Sequence, residues 1–245
     1  MRGETAGFEK ASRSYERGRP GYPRDSVDWI VEAAVLGPGR RVVDLAAGTG
    51  KLTRQLVSSG AEVVAVEPLA EMRARFAEEL PGVPLVAGTA EETGLPSGFA
   101  DAVTAAQAFH WFANHEALAE IHRVLRPAGL LALVWNRRDL SHPVQEAIAR
   151  LTAPYLGEAP TYASGDWSEV MAASDLFEPA GEHRSVLVQQ HDRQGHVDRV
   201  ASTSYVANLP DATRRELLDE VAALAPASGS LSLPYVTTAY GFRRR

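Results

Sequence analysis

Cysteine is absent from the 245-residue chain. Disulfides, thiolate metal sites and cysteine nucleophiles are therefore excluded. Long hydrophobic runs are also absent: no segment approaches the length that crosses a membrane, and residues 1–20 contain no apolar run of signal-peptide length. From these two absences we expect a cytoplasmic protein that has no membrane partner.

Positive charge is not in excess either. Lysine occurs only at Lys10 and Lys51, and the formal net charge at pH 7 is −6. A dedicated nucleic-acid-binding protein usually presents a basic face, so we expect no nucleic-acid partner. Arg243–Arg245 form a short basic run near the C-terminus, which a solvated tail explains.

The residues that are present are those of an ordinary globular protein, with 45% hydrophobic and 23% charged residues. The most informative stretch is Arg41–Leu56, where an apolar run is followed by a glycine-rich turn and a helix. Gly48 and Gly50 allow the backbone to turn sharply and to approach a ligand closely. Leu52 and Leu56 lie four residues apart, as on one face of a helix whose first N–H groups point towards a ligand. The stretch predicts a binding site for a nucleotide-like ligand.

Strands and helices alternate along most of the chain. Apolar runs predict strands over residues 41–46, 61–67, 83–88, 101–109, 129–135, 185–191 and 231–242. Helical spacing follows the first, second and fourth of these runs, a turn-rich stretch separates the third from the fourth, and the region after Trp135 is less regular. The alternation predicts an α/β fold with a doubly wound, mostly parallel, seven-stranded sheet.

Three classes of ligand are compatible with the glycine-rich turn: a phosphate, a dinucleotide and a sulfonium cofactor. A P-loop requires serine or threonine after its lysine, but Leu52 follows Lys51, and Leu45 occupies the place of the first glycine. The dinucleotide fingerprint requires a third glycine, whose place is taken by Thr53. The residues therefore exclude the first class and weaken the second.

The third class is favoured by a resemblance that covers residues 15–135. VVDLAAGTG resembles motif I of class I S-adenosylmethionine-dependent methyltransferases, in which an acidic residue precedes a Gly-x-Gly turn. Four further stretches resemble, in order, the later motifs of that family: VVAVEPLAEM, GTAEETGLP, FADAVTAAQAFHWF and IHRVLRPAGLLALVW. YERGRPGYP together with AFHWF is similar to a subgroup that includes trans-aconitate methyltransferase-like proteins. The resemblance implies a Rossmann-like methyltransferase that binds S-adenosyl-L-methionine.

The resemblance also implies which residues bind the cofactor. Glu67 stands where the family places the acid that grips the ribose hydroxyls, at the spacing of a βαβ unit. Asp44 is expected either to accept a hydrogen bond from the cofactor's ammonium group or to fix the turn as a strand-end residue. The cofactor-binding residues predicted in this way are Tyr15, Arg19, Tyr22, Asp44, Ala46, Gly48, Gly50, Glu67, Pro68, Met72, Thr89, Ala90, Glu91, Gln107 and Trp111.

Two positions depart from the family pattern. Many members have a glycine at the position of Ala46, where a small side chain should still be tolerated. After the third strand an aspartate commonly meets the adenine amino group, but this chain has Thr89, with Glu91 two residues later. The adenine contact is therefore not assigned to an aspartate.

The segment before the first predicted helix is rich in arginine and aromatic residues. It includes Tyr15, Arg19 and Tyr22, and its prolines favour an extended backbone. A frayed leader is the usual alternative at a terminus, but in the similar subgroup the leader folds over the cofactor. We therefore predict one domain over residues 1–245, divided into a lid (1–25), a cofactor-binding core (26–139) and a substrate-cap and sheet-closing part (140–245).

His110 is the candidate catalytic residue, because it follows the fourth predicted strand, where substrates approach the methyl group. It is expected to act as a general base for an alcohol or amine, or alternatively to orient the lid by a hydrogen bond. A carboxylate acceptor would need no base. Tyr15, Phe109 and Trp111 are candidates for aromatic contacts with the sulfonium, and ordinary packing is the alternative for the last two.

No metal site is predicted, because the remaining histidines lack the pairing that is typical of metal ligands. His191 and His196 lie five residues apart in a polar stretch, and we expect them in a surface loop.

The sequence therefore predicts an enzyme that methylates a small-molecule substrate at an oxygen of a carboxylate or hydroxyl, as a monomer or homodimer. An NAD(P)-dependent oxidoreductase on a similar sheet is one alternative. A non-catalytic methyltransferase-like partner protein is another, but the intact Gly48, Gly50 and Glu67 pattern argues against it.

Overall fold

The computed structural model describes residues 21–157 and 161–245. The predicted lid residues Tyr15 and Arg19 lie outside the described residues. Two compact units divide the described chain. The large unit contains residues 21–136, 161–185 and 237–245, and the small unit contains residues 137–157 and 186–236.

Seven strands form one sheet. They are β1 (Arg41–Leu45), β2 (Glu62–Val66), β3 (Leu85–Val86), β4 (Ala100–Ala106), β5 (Leu125–Arg138), β6 (Phe177–His191) and β7 (Leu231–Arg244). Their order in the sheet is β3-β2-β1-β4-β5-β7-β6. The pairs β1–β2, β2–β3, β1–β4 and β4–β5 are parallel. This topology confirms the predicted fold class.

The direction in which the chain adds strands reverses between β1 and β4. Asp44 near the end of β1 is aligned with Ala65 of β2 on one side and with Thr104 of β4 on the other. Because parallel strands end at the same edge of a sheet, the residues that follow β1, β2 and β4 meet there. In open α/β sheets ligands bind at this edge, where the strand order reverses.

Helices connect most of the strands, whereas a loop joins β3 to β4. The helices are α1 (Arg24–Ala33), α2 (Lys51–Val57), α3 (Ala70–Glu79), α4 (His115–Val124), α5 (Pro143–Thr152), α6 (Asp166–Ala173), α7 (Arg193–Ala201), α8 (Ser204–Ala207) and α9 (Asp211–Ala223). Within residues 21–157 and 161–245, no helix has the length and apolar character needed to cross a membrane.

The sheet of the large unit is buried on both faces, which explains the nearly continuous apolar run of β1. Val43 and Leu45 belong to one buried cluster, whereas Val42, which points to the opposite face of the strand, belongs to the other. Leu52 and Leu56 of α2 pack in that second cluster, so the predicted apolar face of α2 is confirmed. This packing holds the turn between β1 and α2 against the sheet.

Several predicted strand boundaries are wrong. The sixth strand was expected to begin at Ser185, but β6 begins at Phe177, and the third was expected over residues 83–88, but β3 spans only Leu85–Val86. The fifth strand was expected to begin at Gly129, but β5 begins at Leu125, directly after α4. Leu125 pairs with Ala100 of β4, and the register shifts between Ala100 and Ala102 before regular pairing starts at Leu130. Because of this pairing with β4, residues 125–129 belong to the strand, although their proline and glycine indicated a break between the helix and the strand.

The small unit has its own apolar cluster, to which α5, α7, α8 and α9 contribute Ile148, Val200, Val206, Leu217 and Val221. The expectation that His191 and His196 lie in a surface loop is wrong. His191 ends β6, His196 belongs to α7, and both side chains are buried.

The burial of His196 has a clear physical consequence. Its Nε2 lies 3.1 Å from the carbonyl oxygen of Val221 and must donate to it. Burial lowers the pKa of His196 to about 4, although this hydrogen bond opposes the shift. The neutral ring therefore links α7 to the end of α9.

Candidate functional site

The turn between β1 and α2 contains three residues in the left-handed backbone conformation: φ is 53° at Ala46, 59° at Gly48 and 83° at Gly50. Glycine adopts this conformation freely, whereas an L-residue such as alanine loses roughly 1 kcal/mol. The position of Ala46 therefore requires the conformation that glycine favours. Backbone strain of this kind concentrates at functional sites.

The two glycines of the turn have different roles. The N–H of Gly48 donates to Oε2 of Glu67 at 2.9 Å, and the N–H of Gly50 donates to the carbonyl oxygen of Ala47 at 2.9 Å. A Cβ at Gly50 would lie 2.5 Å from Leu80 Cδ1 and 2.9 Å from Phe76 Cε2. Gly50 is therefore needed for the packing of α3 against the turn, which the sequence pattern did not reveal.

Asp44 is buried near the end of β1 and accepts hydrogen bonds from both sides. Thr53 Oγ1 in α2 donates to Oδ2 at 2.5 Å, and Thr104 Oγ1 in β4 donates to Oδ1 at 2.9 Å. Burial raises the pKa of Asp44 from 3.8 to about 6, while the threonines oppose the rise and the charge of Glu67 adds to it. These contacts favour the role of Asp44 in fixing the turn, and they explain why Thr53 stands in place of a third glycine.

Glu67 follows β2, and only 4% of the residue is exposed. Its carboxylate oxygens accept the N–H groups of Gly48 at 2.9 Å and Leu69 at 3.0 Å. Each oxygen retains a further lone pair, because a carboxylate offers about four acceptor sites. Arg73 donates to the carbonyl oxygens of Glu67 and Pro68 at 3.0 and 2.6 Å, which holds this backbone in place. Glu67 therefore joins the ends of β1 and β2.

The loop after β3 is fixed by its own polar residues. The N–H of Glu92 donates to Thr89 Oγ1 at 3.1 Å, and the N–H of Thr89 donates to the carbonyl oxygen of Glu92 at 3.0 Å. Ala90 is buried, and Oε1 of Glu91 accepts from Asn114 Nδ2 at 2.9 Å. Thr89 and Glu91 thus shape the loop, and Glu91 joins it to the start of α4.

The end of β4 has a second strained position. Gln107 has a φ of 58°, and its Nε2 donates to the carbonyl oxygen of Asn136 at 3.0 Å. The side chain of Asn136 donates from Nδ2 to the carbonyl oxygen of Gly21 at 2.9 Å and accepts from Thr237 at 2.6 Å. Ala46 and Gln107, which follow adjacent strands, are therefore both held in the left-handed conformation.

Tyr22 lies at the end of the predicted lid and is the one cofactor candidate of that segment within the described residues. Its N–H donates to Gln55 Oε1 at 3.0 Å, and its carbonyl oxygen accepts from Gln55 Nε2 at 2.7 Å. Gln55 belongs to α2, so this part of the segment is attached to the helix that follows the glycine-rich turn.

His110 lies in a short 3-10 helix, Phe109–Trp111. Its Nδ1 accepts a hydrogen bond from Trp135 Nε1 at 3.2 Å. Since an indole N–H can only donate, the proton of the neutral imidazole is assigned to Nε2. Phe109 is fully buried, which favours its packing role, whereas Trp111 is 52% exposed. The hydrogen bond from Trp135 therefore fixes the tautomer of His110, with its proton on Nε2.

The sheet topology places most of the predicted residues of the large unit near the edge at which β1 to β4 end. Asp44 lies within β1 near its end, and Met72 lies within α3. The others follow β1 to β4 along the chain, and they are Ala46, Gly48, Gly50, Glu67, Pro68, Thr89, Ala90, Glu91, Gln107, His110 and Trp111. The supporting residues that the sequence did not reveal are Thr53, Gln55, Thr104, Trp135 and Asn136. Polar residues inside apolar elements, such as Thr104 within β4, are the signal that could have found them.

A metal centre is not apparent in the described ranges, where no three His, Asp or Glu side chains are grouped to hold an ion.

Comparisons with known proteins agree with this geometry. A family model described as Methyltransferase domain matches residues 43–133. The chain is 40% identical over 236 residues to an uncharacterized methyltransferase from Mycobacterium tuberculosis, in an alignment that covers 94% of this chain and 92% of that protein.

Solved structures show the same fold. A proposed type II methyltransferase from Anaeromyxobacter dehalogenans is similar with a TM-score of 0.70 and 23% identity, over 92% of this chain and 97% of that one. Geranyl diphosphate C-methyltransferase from Streptomyces coelicolor, solved with Mg²⁺, geranyl diphosphate and S-adenosyl-L-homocysteine, is similar with a TM-score of 0.53 and 13% identity, over 89% and 77% of the two chains.

Proposed function

The chain belongs to the methyltransferase family, and we propose that it transfers a methyl group from S-adenosyl-L-methionine to an oxygen of a small-molecule acceptor. Methyl transfer from a sulfonium is an in-line displacement: the acceptor oxygen forms a bond to the methyl carbon as the carbon–sulfur bond breaks. The protein contributes mainly by aligning the two molecules and excluding water.

The observation on which this proposal rests is the position of Glu67. A buried carboxylate lies beside a strained glycine-rich turn, bound to backbone N–H groups on both sides. Its remaining lone pairs suit the two vicinal hydroxyls of a ribose, which would donate to it in charge-assisted hydrogen bonds. A dinucleotide would use the same hydroxyls, so the identity of the cofactor is the first point to test.

The hydrogen bond between Trp135 and His110 supports an acceptor that needs no general base. With its proton on Nε2, His110 donates to an oxygen rather than removing a proton from it. A carboxylate is ionised at neutral pH and accepts such a bond before its oxygen attacks the methyl carbon. We therefore favour a carboxylate over a hydroxyl as the acceptor group. The exposed ring of Trp111 and the proposed lid of residues 1–25 would shield the sulfonium.

S-adenosyl-L-homocysteine should stabilise the protein against heat, whereas NAD⁺ and NADP⁺ should not. The Glu67→Ala variant should bind S-adenosyl-L-homocysteine about 1–3 kcal/mol more weakly by calorimetry, because charge-assisted hydrogen bonds are lost. Glu62→Ala is the matched control, since the half-exposed Glu62 begins the same strand and pairs only with Arg41 among the contacts described for it. Stabilisation by NAD(P) alone would indicate the oxidoreductase instead.

Transfer is then tested with methyl-labelled cofactor and a panel of metabolites that separates carboxylates, alcohols and amines. Labelled methyl esters are expected. Binding of the cofactor with no transfer to any acceptor of the panel would favour the non-catalytic alternative.

His110 is tested by two substitutions that separate a donor from a base. If Nε2 donates to the acceptor, His110→Ala should lower kcat roughly tenfold, and His110→Gln, whose amide also donates, should restore most of it. A general base would instead make both variants about 10²–10⁴-fold slower. The affinity for S-adenosyl-L-homocysteine should be unchanged in both variants, and pH profiles of kcat would show whether a base titrates.

A further inference from the structure

Two arginines and a tyrosine of the small unit form a cluster whose parts are distant in sequence. Arg138 ends β5, Arg199 belongs to α7 and Tyr235 belongs to β7. Cζ of Arg199 lies 5.5 Å from the centroid of the Tyr235 ring. Arg199 is 8% exposed, and Tyr235 is fully buried. We call these three residues the arginine cluster.

Gln145 orients the first arginine of the cluster. The side chain of Gln145 is buried, and its Nε2 donates to the carbonyl oxygen of Pro234 at 2.8 Å. This bond leaves Oε1 to accept from Nη1 of Arg138 at 3.0 Å. Arg138 is therefore held by a neutral partner, which fixes its direction without neutralising its charge.

In the part of the chain that the structure describes, several polar atoms of the cluster are buried and lack a partner with good hydrogen-bond geometry. They are Nε and Nη1 of Arg199, Oη of Tyr235 and, near them, Nε2 of His191. The side chains of Gln145 and Arg199 lie close enough to Oη of Tyr235 to lower its pKa. Buried polar atoms in folded proteins almost always have a partner, and each exception calls for an explanation. The guanidinium, the hydroxyl and the imidazole can each donate a hydrogen bond, so one shared acceptor would satisfy all three groups.

The positive charge of the cluster also has no ion-pair partner among the described residues. Within residues 21–157 and 161–245, no carboxylate forms an ion pair with Arg138 or Arg199. Burial lowers the pKa of Arg138, and the charge of Arg199 lowers it further. Burial alone would raise the pKa of Tyr235, yet the two arginines lower it. A buried tyrosine with a lowered pKa indicates a strongly positive local potential.

We propose that the arginine cluster is a binding site for an oxyanion, the carboxylate or phosphate group of a small molecule. A guanidinium binds either group through two parallel N–H donors. Arg199 supplies such N–H donors, and Arg138 adds a second positive charge. The hydroxyl of Tyr235 supplies a further hydrogen-bond donor. The bound anion would neutralise charges that are otherwise costly to bury. This assignment does not depend on the proposed methyl transfer.

The test uses the full chain, with inorganic phosphate and succinate as probes and chloride as the control at constant ionic strength. The Tm of the wild-type protein should rise with the logarithm of the concentration of phosphate, succinate or both, as expected for a ligand that binds the folded state. A response to succinate alone would assign the site to carboxylates, and a response to phosphate alone would assign it to phosphate esters. No response beyond that to chloride would overturn the proposal.

Arg199→Met tests the site directly, because methionine keeps an apolar stem and removes the charge. Its affinity for the active probe should fall at least tenfold, while its Tm without probe should equal or exceed that of wild type. Arg193→Met, at an exposed position of the same helix, should retain wild-type affinity. Tyr235→Phe should weaken binding severalfold without loss of stability, and it serves as the test if Arg199→Met fails to fold.

Unchanged probe affinity in both Arg199→Met and Tyr235→Phe would contradict the site. Binding of S-adenosyl-L-homocysteine, measured on the same variants, should be unaffected. The anion site and the proposed methyl transfer can therefore fail separately.

Discussion

Replacing Asp44 with asparagine should remove a loss of stability that the wild-type protein undergoes between about pH 4 and pH 6. Burial raises the pKa of Asp44 from 3.8 to about 6 in the folded protein. An acid that binds its proton more tightly when folded contributes stability that is complete below the unfolded pKa and is lost as the pH rises through the folded pKa. The difference between 3.8 and about 6 corresponds to about 3 kcal/mol at 1.36 kcal/mol per unit.

Asparagine is a suitable replacement because it keeps the shape of the side chain. Its oxygen accepts from one threonine hydroxyl, and the hydroxyl of the other threonine can rotate to accept from its amide nitrogen. Urea unfolding of both proteins from pH 4 to pH 8 measures the free energy of unfolding. Relative to that of wild type, the value for the variant should increase by up to about 3 kcal/mol as the pH rises. A difference that stays constant over this range would contradict the assignment of a buried, titrating Asp44.

Asp101→Asn is the control with the opposite sign. Burial alone would raise the pKa of Asp101, but the N–H of Arg41 and the side chains of Arg40 and Arg126 lower it. An acid with a lowered pKa contributes stability above its unfolded pKa, and this stability is lost as the pH falls through the folded pKa. The advantage of wild type over Asp101→Asn should therefore be complete at pH 7 and shrink on acidification.

Gly50→Ala should destabilise the protein by about 3 kcal/mol, through two additive causes. The φ of 83° is unfavourable for any L-residue. The new Cβ would also lie 2.5 Å from Leu80 Cδ1 and 2.9 Å from Phe76 Cε2, and Phe76 is a fully buried core residue that cannot move freely. Urea unfolding at pH 7 measures the effect.

Ala46→Gly is the matched control in the same turn. Glycine relieves the strain of a φ of 53° but gains entropy in the unfolded chain, so the two effects nearly cancel. The variant should stay within about 1 kcal/mol of wild type. If both variants lost stability equally, the clash with α3 would not be the reason for Gly50.

The fold was predictable because its signals are local. The apolar runs of β1, β2 and β4 and the helical spacing of α4 alternate along the chain, and such alternation has few compatible arrangements. The start of β5 was not predictable in this way. Its first residues, Leu125 onward, are recruited by pairing with Ala100, and this partner lies far from them in sequence.

The candidate site was predictable to the level of its backbone. Gly48, Gly50 and Glu67 are recognised by their spacing, because a strand, a turn and a helix of fixed lengths place them at one edge of the sheet. The hydrogen-bond partners of the site residues cannot be recognised from spacing. Asp44 is held by Thr53 and Thr104, and the threonine of β4 lies 60 residues away in the chain.

By itself, the sequence determined the fold class, the glycine-rich turn with its acidic partner, and the resemblance to methyltransferases. Only the tertiary structure decided the raised pKa of Asp44, the tautomer of His110 and the burial of Arg138 and Arg199 without an ion-pair partner among the described residues. The physical reason is that spacing encodes local geometry, whereas protonation and charge balance depend on burial and on neighbours that the folded sheet and helices bring together.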